Sequence, residues 1–172
     1  IKQIRDCDIT VANDLTVGTG ATLSNEGDVN TITVTADVDV TGTLNTSAGG
    51  DHSFGSLTIN SGGTYNATSG TTTIVSEGDG SGGTQHYAWY NDAGTFIHNN
   101  GKVVIGTGSI GDTLVEESAF YDFDIHTSSA GADIVWHSKT GNTVTFYGNL
   151  DMTQGRIRPN TPTDAFTIHG NL

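Results

Sequence analysis

Between Phe54 and Val75 apolar and small polar residues alternate in three short runs: Leu57-Thr58-Ile59, Thr64-Tyr65-Asn66-Ala67 and Thr72-Thr73-Ile74-Val75. Successive side chains of a strand point to opposite faces, so Leu57 and Ile59 share one face and Thr58 takes the other. Ser61-Gly62-Gly63 and Ser69-Gly70 interrupt the runs, and such pairs supply the positive φ values of tight corners. The same strand–corner–strand unit recurs along the chain. Ile32 and Val34 alternate with Thr31, Thr33 and Thr35; Val38 and Val40 point inward against Asp37, Asp39 and Thr41. In Tyr121-Asp-Phe-Asp-Ile-His126 the pattern puts Tyr121, Phe123 and Ile125 in the core and Asp122, Asp124 and His126 outside.

Leu15-Thr-Val17, Val38-Asp-Val40 and Leu57-Thr-Ile59 lie about 20 residues apart, within the period range of solenoid repeats. Phe123-Asp-Ile125 and Leu150-Asp-Met152 continue the theme at wider spacing. A solenoid tolerates this drift because its corners lengthen without disturbing the stacked strands. The predicted fold is therefore all-β: a parallel β-helix or β-solenoid, right-handed, with short strands and Gly-rich corners. A β-sandwich with regular turn signals is the rival. Coils of about 20–25 residues stacked at about 4.8 Å would make a rod roughly 30–40 Å long.

Three segments are expected: residues 1–13 as an N-terminal cap or linker, 14–158 as the solenoid, and 159–172 as a link and the start of a further strand unit. The close, Phe166-Thr-Ile-His-Gly-Asn-Leu172, and the opening on Ile1 read as a segment of something longer. Strands are expected to begin at Asp8-Ile-Thr-Val11. Ser76 to Thr84 reads as a flexible surface loop. Asn100-Gly101, between two apolar runs, fits either a hairpin turn or a corner between coils.

Composition supports the β reading. Of 172 residues, 24 are Gly and 2 are Pro, and segments rich in strong helix formers are absent. The formal net charge is −13 with 6 Lys plus Arg. That sign opposes phosphate neutralisation, so a nucleic-acid partner is not expected, and it disfavours anionic membrane surfaces. There is no apolar run of about 18 residues, so membrane insertion is not expected either. The single cysteine, Cys7, makes an intrachain disulfide impossible.

Phe120-Tyr-Asp-Phe-Asp-Ile-His126, Thr143-Val-Thr-Phe-Tyr-Gly-Asn-Leu-Asp-Met152 and Ala93-Gly-Thr-Phe-Ile-His-Asn-Asn-Gly-Lys-Val-Val-Ile105 resemble the repeat units of large β-solenoid proteins. Such units occur in phage virion proteins, notably of marine phages, and in bacterial surface and adhesin-like proteins. The resemblance covers most of residues 14–152. It implies a backbone path and a structural role, and it brings no catalytic residues with it.

Candidate chemistry is sparse. Asp-x-Asp occurs as Asp6/Asp8, Asp37/Asp39 and Asp122/Asp124. Paired carboxylates on stacked coils could share a calcium ion, which wants six to eight oxygens, and Asp122 and Asp124 are the pair singled out. The bland reading is a solvated acidic face. Paired carboxylates would also serve a polysaccharide-cleaving enzyme, but the six basic residues are scattered, and no enzyme is expected. Gly106-Thr-Gly-Ser-Ile-Gly111 matches a phosphate-loop pattern without a following helix. Tyr87, Trp89 and Tyr90 either pack in the core or offer a surface to a glycan or a neighbouring subunit. Asn45-Thr-Ser47 and Asn66-Ala-Thr68 match glycosylation sequons.

The expectation is a structural component of a virion or of an extracellular cell surface, such as a phage fibre or capsid-decoration protein that contacts a host surface. It would form homo-oligomers or arrays with other virion or surface proteins. A bacterial or archaeal adhesin or sheath protein is the alternative, and a β-helical polysaccharide-active enzyme the second.

Overall fold

A computed structural model describes residues 2–3, 7–25, 30–48, 50–76, 87–106, 113–116, 119–126, 133–136, 143–159, 162–163 and 165–172, with the strand path alone at 2–3, 113–116 and 133–136. After β1 (Lys2–Gln3), the strands fall into seven coils. The first holds β2 (Ile9–Val11), β3 (Leu15–Val17) and β4 (Thr22–Ser24). The second holds β5 (Ile32–Val40) and β6 (Thr43–Asn45), and the third β7 (His52–Ile59) and β8 (Thr64–Asn66). The fourth holds β9 (Thr71–Ile74), β10 (Tyr87–Asn91) and β11 (Thr95–Ile97). The fifth holds β12 (Lys102–Ile105), β13 (Thr113–Glu116) and β14 (Ala119–Phe120). The sixth holds β15 (Asp122–His126), β16 (Asp133–Trp136) and β17 (Thr143–Phe146). The seventh holds β18 (Leu150–Gln154), β19 (Arg156–Pro159) and β20 (Ala165–Ile168).

Each strand pairs in parallel with its counterpart one coil away. On the first face the column of paired positions runs Val11, Val34, Phe54, Ile74, Ile105, Ile125, Met152. On the second it runs Leu15, Val38, Leu57, Trp89, Val115, Trp136, Pro159. On the third it runs Leu23, Leu44, Tyr65, Phe96, then Phe120, Phe146, Ile168. β5 and β7 each run around the bend between the first two faces and so join them into one sheet. This is a parallel β-solenoid. The sandwich is excluded, because that architecture is built from antiparallel pairs. Six steps of about 4.8 Å place the first and seventh coils about 29 Å apart.

The column on the first face advances by 23, 20, 20, 31, 20 and 27 residues per coil. The drift that blurs the repeat in sequence thus leaves the pairing intact, and the excess of the fourth coil lies between β9 and β10. The expected loop at Ser76–Thr84 falls in that gap and, from residue 77 on, lies outside the described residues. Coils also extend beyond 14–158. β2, within 1–13, pairs with β5, and β20, within 159–172, pairs with β17.

The core is aliphatic in the first coils and aromatic in the middle. Val34, Val38, Val40 and Leu44 give way to Phe54, Tyr65, Trp89, Phe120, Phe123 and Phe146, all buried. Trp89 meets Phe96 edge-on at 4.8 Å and Phe120 at 5.3 Å. Such edge-to-face pairs add about 1 kcal/mol each to the apolar area they bury.

Two expectations change. Asn99 and Asn100 have φ of 47° and 60°, and the Gly101 N–H donates to the His98 carbonyl at 2.8 Å. This is the turn chemistry the Asn-Gly signal implies. However, β11 pairs with β8 and β12 with β9 and β15, so the turn is a corner between faces and not a hairpin. Tyr121 also leaves the core. It lies at the corner before β15 and stacks on His98 at 5.7 Å, while Phe123 and Ile125 face inward as expected.

Candidate functional site

Four of the acidic residues that read as a solvated face accept backbone N–H groups of the next coil. Asp8 Oδ1 accepts from Thr31 at 2.9 Å, Asp14 Oδ1 from Asp37 at 3.3 Å and Asp51 Oδ1 from Thr71 at 2.8 Å. Asp122 Oδ1 accepts from Asn149 at 2.7 Å, and Asn149 Oδ1 accepts from Asn171 at 2.9 Å. Corner residues of a solenoid leave amides outside the ladder, and a short carboxylate or amide side chain satisfies them.

This changes the calcium expectation at Asp122 and Asp124. The Asp122 carboxylate is turned to the corner above it. Asp124, on the outward face of β15, faces Lys102 Nζ at 3.8 Å and His126 Nε2 at 3.0 Å. The His126 approach brings the atoms together without hydrogen-bond alignment, and Asp124 Oδ1 is otherwise unpartnered. The two carboxylates have different partners, and among the described residues no group of three His, Cys, Asp or Glu is placed to hold a metal ion. Thr153 Oγ1 lies 3.4 Å from His126 Nε2. Asp124 and Thr153 therefore meet the same ring nitrogen. A carboxylate–imidazole–hydroxyl relay needs them on opposite nitrogens, so the trio is not arranged for nucleophilic catalysis.

The aromatic cluster divides. Trp89 is 0% exposed, so the surface reading fails for it. A register irregularity between Tyr87 and Trp89 puts Tyr87 and Tyr90 on the same outer side, half-buried and stacked at 4.6 Å.

Both sequons are consumed by a side-chain ladder on the third face. Asn66 Nδ2 donates to Asn45 Oδ1 at 2.8 Å, Asn99 Nδ2 to Asn66 Oδ1 at 2.7 Å, and Asn45 Nδ2 to Ser24 Oγ at 3.4 Å. Beside it Thr22, Thr43, Thr64 and Thr95 stand in register. Of the Gly-x-Gly-x-x-Gly stretch, Gly106 closes a corner against Ile74, and residues 107–111 lie outside the described residues. Cys7 is exposed with its thiol free.

The feature that sequence reading missed is a ridge of rings at the corner after the third face. His98 stacks on Tyr121 at 5.7 Å and meets Tyr147 at 5.5 Å, and Tyr147 stacks on His169 at 5.7 Å. Tyr147 is 51% exposed and Ile97 beside the ridge 42%. Partial burial lowers the pKa of His98 from its ordinary value. The signal was the residue just after an inward aromatic, as in Phe120-Tyr121 and Phe146-Tyr147, but it is legible only once the coils are in register.

No family model, no curated protein and no solved structure matches the chain.

Proposed function

We propose that the chain is a structural, non-catalytic part of an extracellular assembly, most simply a phage virion fibre or capsid-decoration protein. The observation that carries this reading is the use of its polar side chains. Asp8, Asp14, Asp51, Asp122 and Asn149 each hold a backbone amide of the adjacent coil, and Asn45, Asn66 and Asn99 hold one another. These side chains are committed to stacking the coils. The result is a stiff stack whose third face, in its first four coils, is lined by small neutral Thr and Asn side chains, suited to spacing or coating in a homo-oligomer or array. The ridge at His98, Tyr121, Tyr147 and His169 supports a contact surface for a host. That same ridge would serve an adhesin or sheath protein on a bacterial or archaeal surface, which is the second reading.

The test is electron microscopy of native particles and of cell envelopes, labelled with an antibody to this chain. Label on virions supports the first reading, and label on envelopes alone supports the second. A monomeric protein that cleaves polysaccharide would end both.

A further inference from the structure

The joint between the second and third coils differs from the one before it. In the first coil the Ile9 N–H reaches up to a backbone carbonyl, that of Thr31, at 2.9 Å. At the corresponding place in the second coil the Ile32 N–H donates instead to a side chain, His52 Nδ1, at 3.0 Å. His52 is 1% exposed, its ring lies parallel to that of Phe54 at 6.3 Å, and its Nε2 has no hydrogen-bond partner. Because Nδ1 accepts, the ring is neutral and carries its proton on Nε2. A proton on Nδ1 would set two donors face to face and place a cation in the core.

We propose that His52 is an acid-labile joint: protonation of Nδ1 releases Ile32 and loosens the first two coils from the rest of the solenoid. The surroundings offer little to hold an imidazolium. Asp51 is the nearest charge, and its Oδ1 already accepts from Thr71. β5 carries Asp37 and Asp39 on its outer side, β8 presents the neutral Tyr65, and β9 presents Thr72. Glu26 and Asp28 lie outside the described residues. Burial is the largest influence on the ring and lowers its pKa, against the Thr46 backbone and the charge of Asp51, which both raise it. A depressed folded value means that the stabilisation is present above the unfolded pKa of 6.5 and is lost as pH falls through the folded value. Because each coil touches only its neighbours, the loss is confined to the end beyond the joint.

Amide hydrogen exchange on the whole chain between pH 7.5 and 5.5, corrected for the intrinsic pH dependence of exchange, tests this above the range of ordinary carboxylates. The opening constant of peptides from Ile9 to Asn45 should rise by up to about tenfold per pH unit below about 6.5, while peptides of β12 and β15 stay flat. His52→Asn places an amide oxygen near the Nδ1 position and should abolish the rise. The same rise in His52→Asn, or a rise spread evenly over all coils, overturns the proposal. Nitrogen NMR of the wild-type ring decides the matter if that variant does not fold. The Nε2–H tautomer at pH 7.5, with a titration that tracks the opening, supports the joint. A ring that titrates with no change in exchange refutes it.

Discussion

Gly62 and Gly63 are adjacent and look alike in sequence, yet alanine should cost very different amounts at each. Gly62 has φ of 82° and open space where a Cβ would go. Its cost is backbone strain alone, roughly 1–2 kcal/mol for an L-residue in the left-handed region. The fold already accepts alanine there: Ala93, at the matching corner one coil on, has φ of 57°. A Cβ on Gly63 would instead lie 2.2 Å from the Val40 carbonyl oxygen and 2.9 Å from that of Asn60. Relief requires the coils to part by about 1 Å, which stretches the Asn60-to-Val40 bond of 2.9 Å and the Thr64-to-Gly42 bond of 2.8 Å. Two bonds at about 1 kcal/mol each, with about 1–3 kcal/mol of overpacking, give about 3–5 kcal/mol. A Cβ on Gly42 would likewise meet the carbonyl oxygens of Gly18 and Ala21, and one on Gly94 the Ile59 Cγ2 and the Asn60 carbonyl, whereas Ala21, in the first coil, is exposed and keeps its Cβ. Thermal unfolding followed by circular dichroism should put Gly63→Ala about 10 °C below wild type and Gly62→Ala about 3–5 °C below it. Equal shifts, or the reverse order, would refute the close stacking of this corner.

Tyr65 donates or accepts at Thr72 at 2.9 Å, and burial pushes its pKa up to about 12 from 10.0. The folded state keeps a proton that the unfolded state loses, so about 3 kcal/mol present below pH 10 is lost as pH rises towards 12. Tyr65→Phe should remove most of that slope in alkaline urea titrations. Asp122→Asn keeps the oxygen that Asn149 needs and should stay within about 0.5 kcal/mol of wild type, whereas Asp122→Ala should cost about 1–2 kcal/mol in urea unfolding. EDTA should leave the wild-type Tm unchanged; a fall on chelation would restore the calcium reading. Asn66→Ala breaks two rungs of the amide ladder and should cost about 2 kcal/mol by the same measurement. In a glycosylating host, mass spectrometry should find Asn45 and Asn66 unmodified. Trp89→Ala should cost about 3–5 kcal/mol, since it empties the contact with Phe96 and Phe120; a surface role for Trp89 predicts almost no loss.

Alternation along the chain was enough to place most of the inward residues and to make the fold all-β, with a solenoid ahead of a sandwich. Val38, Val40, Leu57, Ile59, Phe123 and Ile125 are buried as their alternation requires, because a period of two assigns faces without knowledge of partners. The sequence also marked Asn100-Gly101 as a turn, because turn chemistry is local. What the turn joins was decided by tertiary structure. So were the burial of Trp89, the outward placement of Tyr121, and the difference between Gly62 and Gly63. Each depends on which residue lies one coil away, at a distance of 19 to 32 positions that varies from coil to coil. The same holds for the acidic residues. Composition counts them as surface charge, and only the stacked register shows that Asp8, Asp14, Asp51 and Asp122 each take a backbone N–H from the next coil. Local alternation is written in neighbouring residues; the contacts between coils are written in the register, which hydrogen bonding sets across the whole stack.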